Sequence, residues 1–153
     1  SVLRQLDQAS ALLNGINESG QYPAIALREA LVNALEHRDY TYSGPTLINI
    51  FDSRLEIVSL GGLTDGLEIN DLLNGVCQPR TPRLAELFAD LGLCENCGTG
   101  IQRIMDAYAQ SAVSPQLARG PHFGGNGTAY PCIGRGRVLA SDRCRCFRRA
   151  QHH

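Results

Sequence analysis

The stretch from Tyr22 to Tyr40, YPAIALREALVNALEHRDY, constrains this chain more than any other. Leu27, Leu31, Ala34 and Leu35 recur at helical spacing, while Glu29, Asn33 and His37 follow one another at steps of four residues. One helix must therefore bury an apolar stripe and carry a carboxylate, an amide and an imidazole on a second stripe. Those groups supply a base, a neutral oxygen ligand and a proton-sensitive ring that point the same way. Any amphipathic helix has a polar face, so on spacing alone a solvated surface is the simpler reading. Pro23 suits the first turn, where a missing N–H has no intrahelical partner, and the Gly44-Pro45 turn lies beyond the far end.

With 153 residues and 43% apolar content, the chain can build one domain with a real core, and no run is long enough to span a membrane. A cytoplasmic protein with no membrane partner is expected. The sequence starts at Ser1 and its one methionine is Met105, which reads as a piece of a longer protein without a signal-peptide pattern. Charge is uneven: residues 1–115 carry 7 Arg against 14 acidic residues, whereas 116–153 carry 7 Arg against one Asp. An acidic body argues against a broad nucleic-acid-binding face, and the Arg-rich end would hold polyanions only without specificity. All 14 basic residues are Arg. With no lysine anywhere, a P-loop motor is excluded from this chain.

Six cysteines lack a secretory context and read as reduced thiols. Cys94-x-x-Cys97 and Cys144-x-Cys146 could be drawn as a zinc site, but the second pair is too tight and the 46-residue gap too long.

Along the chain, Leu3, Leu6, Ala9, Leu12 and Leu13 predict a first helix over Val2–Leu13, packed on a sheet or continuing from an upstream domain. TLINIF (46–51) and LEIVS (55–59) around a short polar turn predict a hairpin. The second strand runs into Gly61, Gly62 and Gly66, a loop that lets backbone approach a ligand or simply leaves the strand tightly. A short helix is expected at Glu68–Asn74, then a lid-like stretch at Gly75–Thr81, then a helix at Pro82–Leu91 stopped by Gly92. Gly98-Thr99-Gly100 enters one more amphipathic helix, where unpaired N–H groups and the helix dipole favour an anion. Past residue 116 only 128–133 and 137–139 carry strand signals.

In this order the pieces resemble the GHKL superfamily with its Bergerat ATP-binding arrangement. ALREALVNALEHRDY, IFDSRLEIVSLGGLTDGL, PRTPRLAELFADLGL and GTGIQRI resemble more closely the C-terminal domain of bacterial RecG-related proteins, ATP-dependent helicases or transcriptional regulators by description. The resemblance covers Tyr22–Ala109. It implies an α/β (α+β) two-layer sandwich, a mixed sheet with helices on one face, spanning residues 1–115. It also implies ATP and magnesium as cofactors, with Glu29 as the base that activates water and Asn33 as the magnesium ligand. Gly61, Gly62 and Gly66 match the first glycine box beside the base, and Gly98, Thr99 and Gly100 match the second at the phosphates. His37 belongs to an HRD extension as a candidate phosphate or carboxylate partner, with Arg38 and Asp39 as a structural ion pair.

Two departures stand out. Ser59 occupies the place of the Asp that bonds the adenine amino group, so base recognition is weakened. The Arg/Gly/Cys-rich segment 116–153 replaces the expected closing strands and reads as a disordered tail that leaves a sheet edge open to self-association. The competing expectation is a degenerate GHKL scaffold for dimerisation, or for signal transfer to an upstream domain that binds DNA.

Overall fold

The computed structural model describes residues 1–52, 54–64, 66–95, 98–110, 115–120, 127–134 and 144–146. Its elements in chain order are α1 (Val2–Ile16), α2 (Ala24–Glu36), β1 (Leu47–Phe51), β2 (Arg54–Ser59), α3 (Ile69–Leu73), α4 (Pro82–Asp90), α5 (Gly100–Ala107), β3 (Gln116–Gly120), β4 (Gly127–Gly134) and β5 (Cys144–Cys146). This is an α+β fold with a small antiparallel sheet. No helix among the described residues is long and apolar enough to cross a membrane.

α1 starts where the Ser1 hydroxyl accepts from the Arg4 N–H, and it runs through Gly15 instead of stopping at Leu13. Its chief packing partner is α2 rather than the sheet. The Asn17 side chain then holds both backbone groups of Tyr22, each at 2.8 Å, which closes the connection and aims the chain into α2. Pro23 stands at the N-cap, one position earlier than expected, and its carbonyl accepts from the N–H groups of Ala26 and Leu27.

α2 is the core element: nine of its thirteen residues are buried. The expected stripe of Leu27, Leu31, Ala34 and Leu35 is buried against Leu6 and Leu13 of α1, Leu55 and Ile57 of β2, Phe88 of α4, and Ile104 of α5. A helix this enclosed has few waters for its last carbonyls. Protein groups take them instead. The Asn33 carbonyl accepts from the His37 N–H at 3.0 Å, the Ala34 carbonyl from the Ser59 hydroxyl at 2.6 Å, and the Leu35 carbonyl from the Tyr40 hydroxyl at 2.7 Å.

β2 alternates between half-buried and buried positions, with Leu55, Ile57 and Ser59 all on the buried side. Its register on β1 pairs Ile50 with Leu55 and Asn49 with Glu56, and the Asn49 amide donates to the Glu56 carboxylate at 3.3 Å. The sheet order is β3-β4-β2-β1-β5 and every described pairing is antiparallel, where a mixed sheet was expected. Parallel neighbours need long crossovers, whereas β1–β2 and β3–β4 are joined by short connections. Of the segment 116–153, expected to be a disordered tail, the described residues form β3, β4 and β5, with β4 paired along β2 and β5 along β1; the rest lies outside the described residues. Both edges of the β1–β2 hairpin carry backbone groups that further strands can satisfy. β4 overlays the 128–133 strand signal, while 137–139 lies outside the described residues.

Removing the Ser59 hydroxyl strands the Ala34 carbonyl in a dry place. Ser59→Ala is therefore expected to lower unfolding free energy by about 1–3 kcal/mol in urea denaturation. A midpoint equal to the wild type would refute the capping role.

Candidate functional site

Where the C-terminal half of α2 meets the glycine segments, the surface opens into a cleft of about 510 Å³, its open mouth included. Asn33 and His37 form one wall, Gly62, Leu63 and Thr64 a second, Val76 to Gln78 with Arg80 a third, and Gly98, Gly100 and Ile101 a fourth. Five residues singled out in the sequence thus converge: Asn33, His37, Gly62, Gly98 and Gly100. Glu29, Ser59, Gly61, Gly66 and Thr99 are not among the lining residues.

Asn33 reaches this wall because it follows Glu29 by one helical turn. Its Nδ2 is buried and has no hydrogen-bond partner. Gly100 packs directly against the amide, since a Cβ there would lie 2.6 Å from Nδ2. The first turn of α5 therefore starts beside an unsatisfied donor and adds its own N–H groups, which have no intrahelical partner. Gly98 is required for another reason. Its φ is +95°, and a Cβ would come within 2.1 Å of the Gly75 carbonyl oxygen, so the second glycine segment and the lid-like stretch share one close contact.

The first glycine loop is held by the HRD extension. Gly61 lies against Asp39, whose N–H donates to the Leu60 carbonyl at 2.8 Å. The Asp39 carboxylate pairs with Arg80 at 3.3 Å, and Arg80 also donates to the Gly62 carbonyl. The expected Arg38–Asp39 pair is thereby corrected. Arg38 turns toward Thr46, the carbonyls of Tyr42 and Gly44, and the Tyr40 ring, which braces the loop leaving α2. Arg80 falls in the lid-like stretch, and no local pattern links it to Asp39 at a separation of 41 residues.

Electrostatics sort the remaining groups. Burial, and then the Arg80 charge, lower the His37 pKa, so the ring is neutral at neutral pH. Glu29 is buried and stands 3.2 Å from both Arg28 and Arg103. Burial pushes its carboxyl upward while those guanidiniums pull against the shift. Glu36 is pushed the same way by burial and by the Glu29 charge. Burial and both carboxylates raise the Cys94 thiol, which is free, whereas Cys77 is disulfide-bonded, contrary to the expectation of reduced thiols throughout. Ser59 is fully buried with its hydroxyl committed to α2, so it does not face the cleft.

No group of three or more His, Cys, Asp or Glu that could hold a metal ion occurs among the described residues. Magnesium is nevertheless compatible with the donor set, because it keeps most of its waters and binds through one or two protein oxygens plus substrate phosphates. Asn33 would hold it through its carbonyl Oδ1, whereas the unpartnered Nδ2 is a donor and calls for an acceptor such as a phosphate oxygen.

A glycine-walled cleft at the end of a buried helix, beside an antiparallel sheet, defines an HATPase-like domain. Residues 44–124 match the family described as "Putative ATP-dependent DNA helicase recG C-terminal", and the chain belongs to that family. No curated protein matches it. Among solved structures it is similar to the DIP2311 protein from Corynebacterium diphtheriae, with a TM-score of 0.78 and 31% identity over 91% of this chain. The chain spans 29% of that protein's length.

The raised carboxyl of Glu36 carries a pH signature. A carboxyl held above its ordinary range binds a proton more readily folded than unfolded, so stability falls as pH rises from that range through the raised pKa. Glu36→Gln removes the buried charge and is expected to raise the melting temperature at pH 7 by about 2–4 °C. The gain should fade below about pH 4, where both states are protonated. Melting curves at the two pH values test this, and no gain at pH 7 counts against it.

Proposed function

We propose that this domain binds ATP with magnesium in the cleft between α2, the two glycine segments and the stretch 75–81. The observation that carries the reading is the buried Asn33 Nδ2, unpartnered and packed on the helix-opening Gly100. A native interior rarely keeps such a donor unmet unless something else completes it. In this reading Gly98 and Gly100 receive phosphate on backbone N–H groups, while Gly62 shapes the base end and Thr99, Gly61 and Gly66 support those segments from outside the lining. The fold around the cleft is read as a two-layer sandwich of Bergerat type. When bound, magnesium supplies charge neutralisation between phosphate oxygens. Asn33 orients, and His37, neutral, adds a hydrogen-bonding ring without adding charge.

Turnover would draw on Glu29 as base, and that carboxyl does not line the cleft. Arg28 and Arg103 both hold its Oε1, and Oε2 takes part in neither pair. Ser59 likewise offers no acceptor for an adenine amino group. These two observations favour a second reading, a non-catalytic scaffold that dimerises or transmits a signal. In the longer protein either form would act on DNA through other domains, and nothing in this unit would translocate along it.

Titration of ATP and magnesium, followed through the backbone amides of Gly61, Gly62, Gly98 and Gly100, separates the readings. Saturable shifts at both segments that vanish in Asn33→Ala are expected. Absent shifts at millimolar ATP would retire the nucleotide reading in favour of the scaffold.

A further inference from the structure

Arg80 is the one side chain lining the cleft with a fixed formal charge among the described residues, and the chain has no lysine to share that duty. It stands on the irregular stretch between α3 and α4, and its guanidinium is held by Asp39, which does not line the cleft, and by Gly62, which does. One nitrogen lies 3.3 Å from the Asp39 carboxylate, and another donates to the Gly62 carbonyl. The side chains of Arg80 and Asp39 keep 25% and 19% of their surface in solvent. Both side chains are partly buried, and water still reaches the pair from one side.

Asp39 is also provided for without it. Its carboxylate accepts from the Thr41 N–H at 2.9 Å and from the Thr41 hydroxyl at 2.6 Å, bonds that already hold the carboxyl below its usual range. Opening the pair therefore strands no buried charge. A guanidinium prefers the paired oxygens of a phosphate, which it can grip with two parallel hydrogen bonds.

We propose that Arg80 is the anion-reading residue of the cleft: a polyphosphate ligand draws its guanidinium from Asp39 into the cleft, and selectivity for charged ligands resides there. The identity of the ligand as a nucleotide rests on the reading above, whereas the exchange of Arg80 between carboxylate and phosphate rests on this geometry.

The test is a calorimetric titration of adenosine, AMP, ADP, ATP and inorganic tripolyphosphate into the wild type and into Arg80→Gln, Arg80→Lys and Asp39→Asn. Wild-type affinity is expected to rise with phosphate number. Arg80→Gln should flatten that series, weakening ATP and tripolyphosphate by about tenfold or more while adenosine changes little. Arg80→Lys should restore part of the series, and Asp39→Asn, which releases Arg80, should tighten both polyphosphates. An unchanged series in Arg80→Gln overturns the proposal, as does an equal loss for adenosine and ATP. If Arg80→Gln fails to fold, unchanged or weaker polyphosphate binding in Asp39→Asn overturns it instead. Arg80-dependent binding of tripolyphosphate with no nucleotide preference would sink the nucleotide reading alone. A wild type that binds neither sinks both.

Discussion

Ending a helix in a dry interior is the constraint on which this structure depends. α2 is enclosed by α1, α4, α5 and β2, so its terminal carbonyls need protein donors. Ser59 and Tyr40 provide two of them, and each choice propagates. Ser59 anchors the end of β2 to the helix, which sets where the first glycine loop begins. Tyr40 folds the HRD extension back over the helix end and places Asp39 against Gly61. The cleft is what lies between these fixed points and the second glycine segment, itself seated on Asn33 through Gly100.

The same enclosure accounts for the electrostatics along α2. Glu29 and Glu36 are both taken out of water on one helix, and only Glu29 has guanidiniums against it. Arg103 comes from α5, so the helix that opens at the second glycine segment also neutralises the carboxylate one turn from Asn33. The second glycine segment and Glu29 are thus tied to one helix through Arg103.

Ser59 shows how a substitution can be legible in sequence while its meaning is not. Reading along the chain, it replaces a carboxylate that faces a base. In the fold it shares strand parity with Leu55 and Ile57, points to the helix and donates where a carboxylate could only accept. What the structure shows of the serine is a cap that the helix uses.

Local pattern determined a good deal by itself: the stripe of Leu27, Leu31 and Leu35, the β1–β2 hairpin, the short α3, the Pro82 start of α4 and the glycine entry to α5 all follow from periodicity and backbone chemistry within a few residues. It also brought forward Asn33, His37, Gly62, Gly98 and Gly100, because a polar stripe and glycine punctuation are local signals. Only tertiary structure decided which polar groups meet. Arg80 finds Asp39 rather than Arg38 doing so, Glu29 is taken by Arg103, and strands from beyond residue 116 pair with the hairpin. Those choices depend on distance in space and on burial, and neither leaves a period in the chain. A carboxylate selects its cation by what the packed core brings within about 4 Å, long after the helix that carries it has been specified.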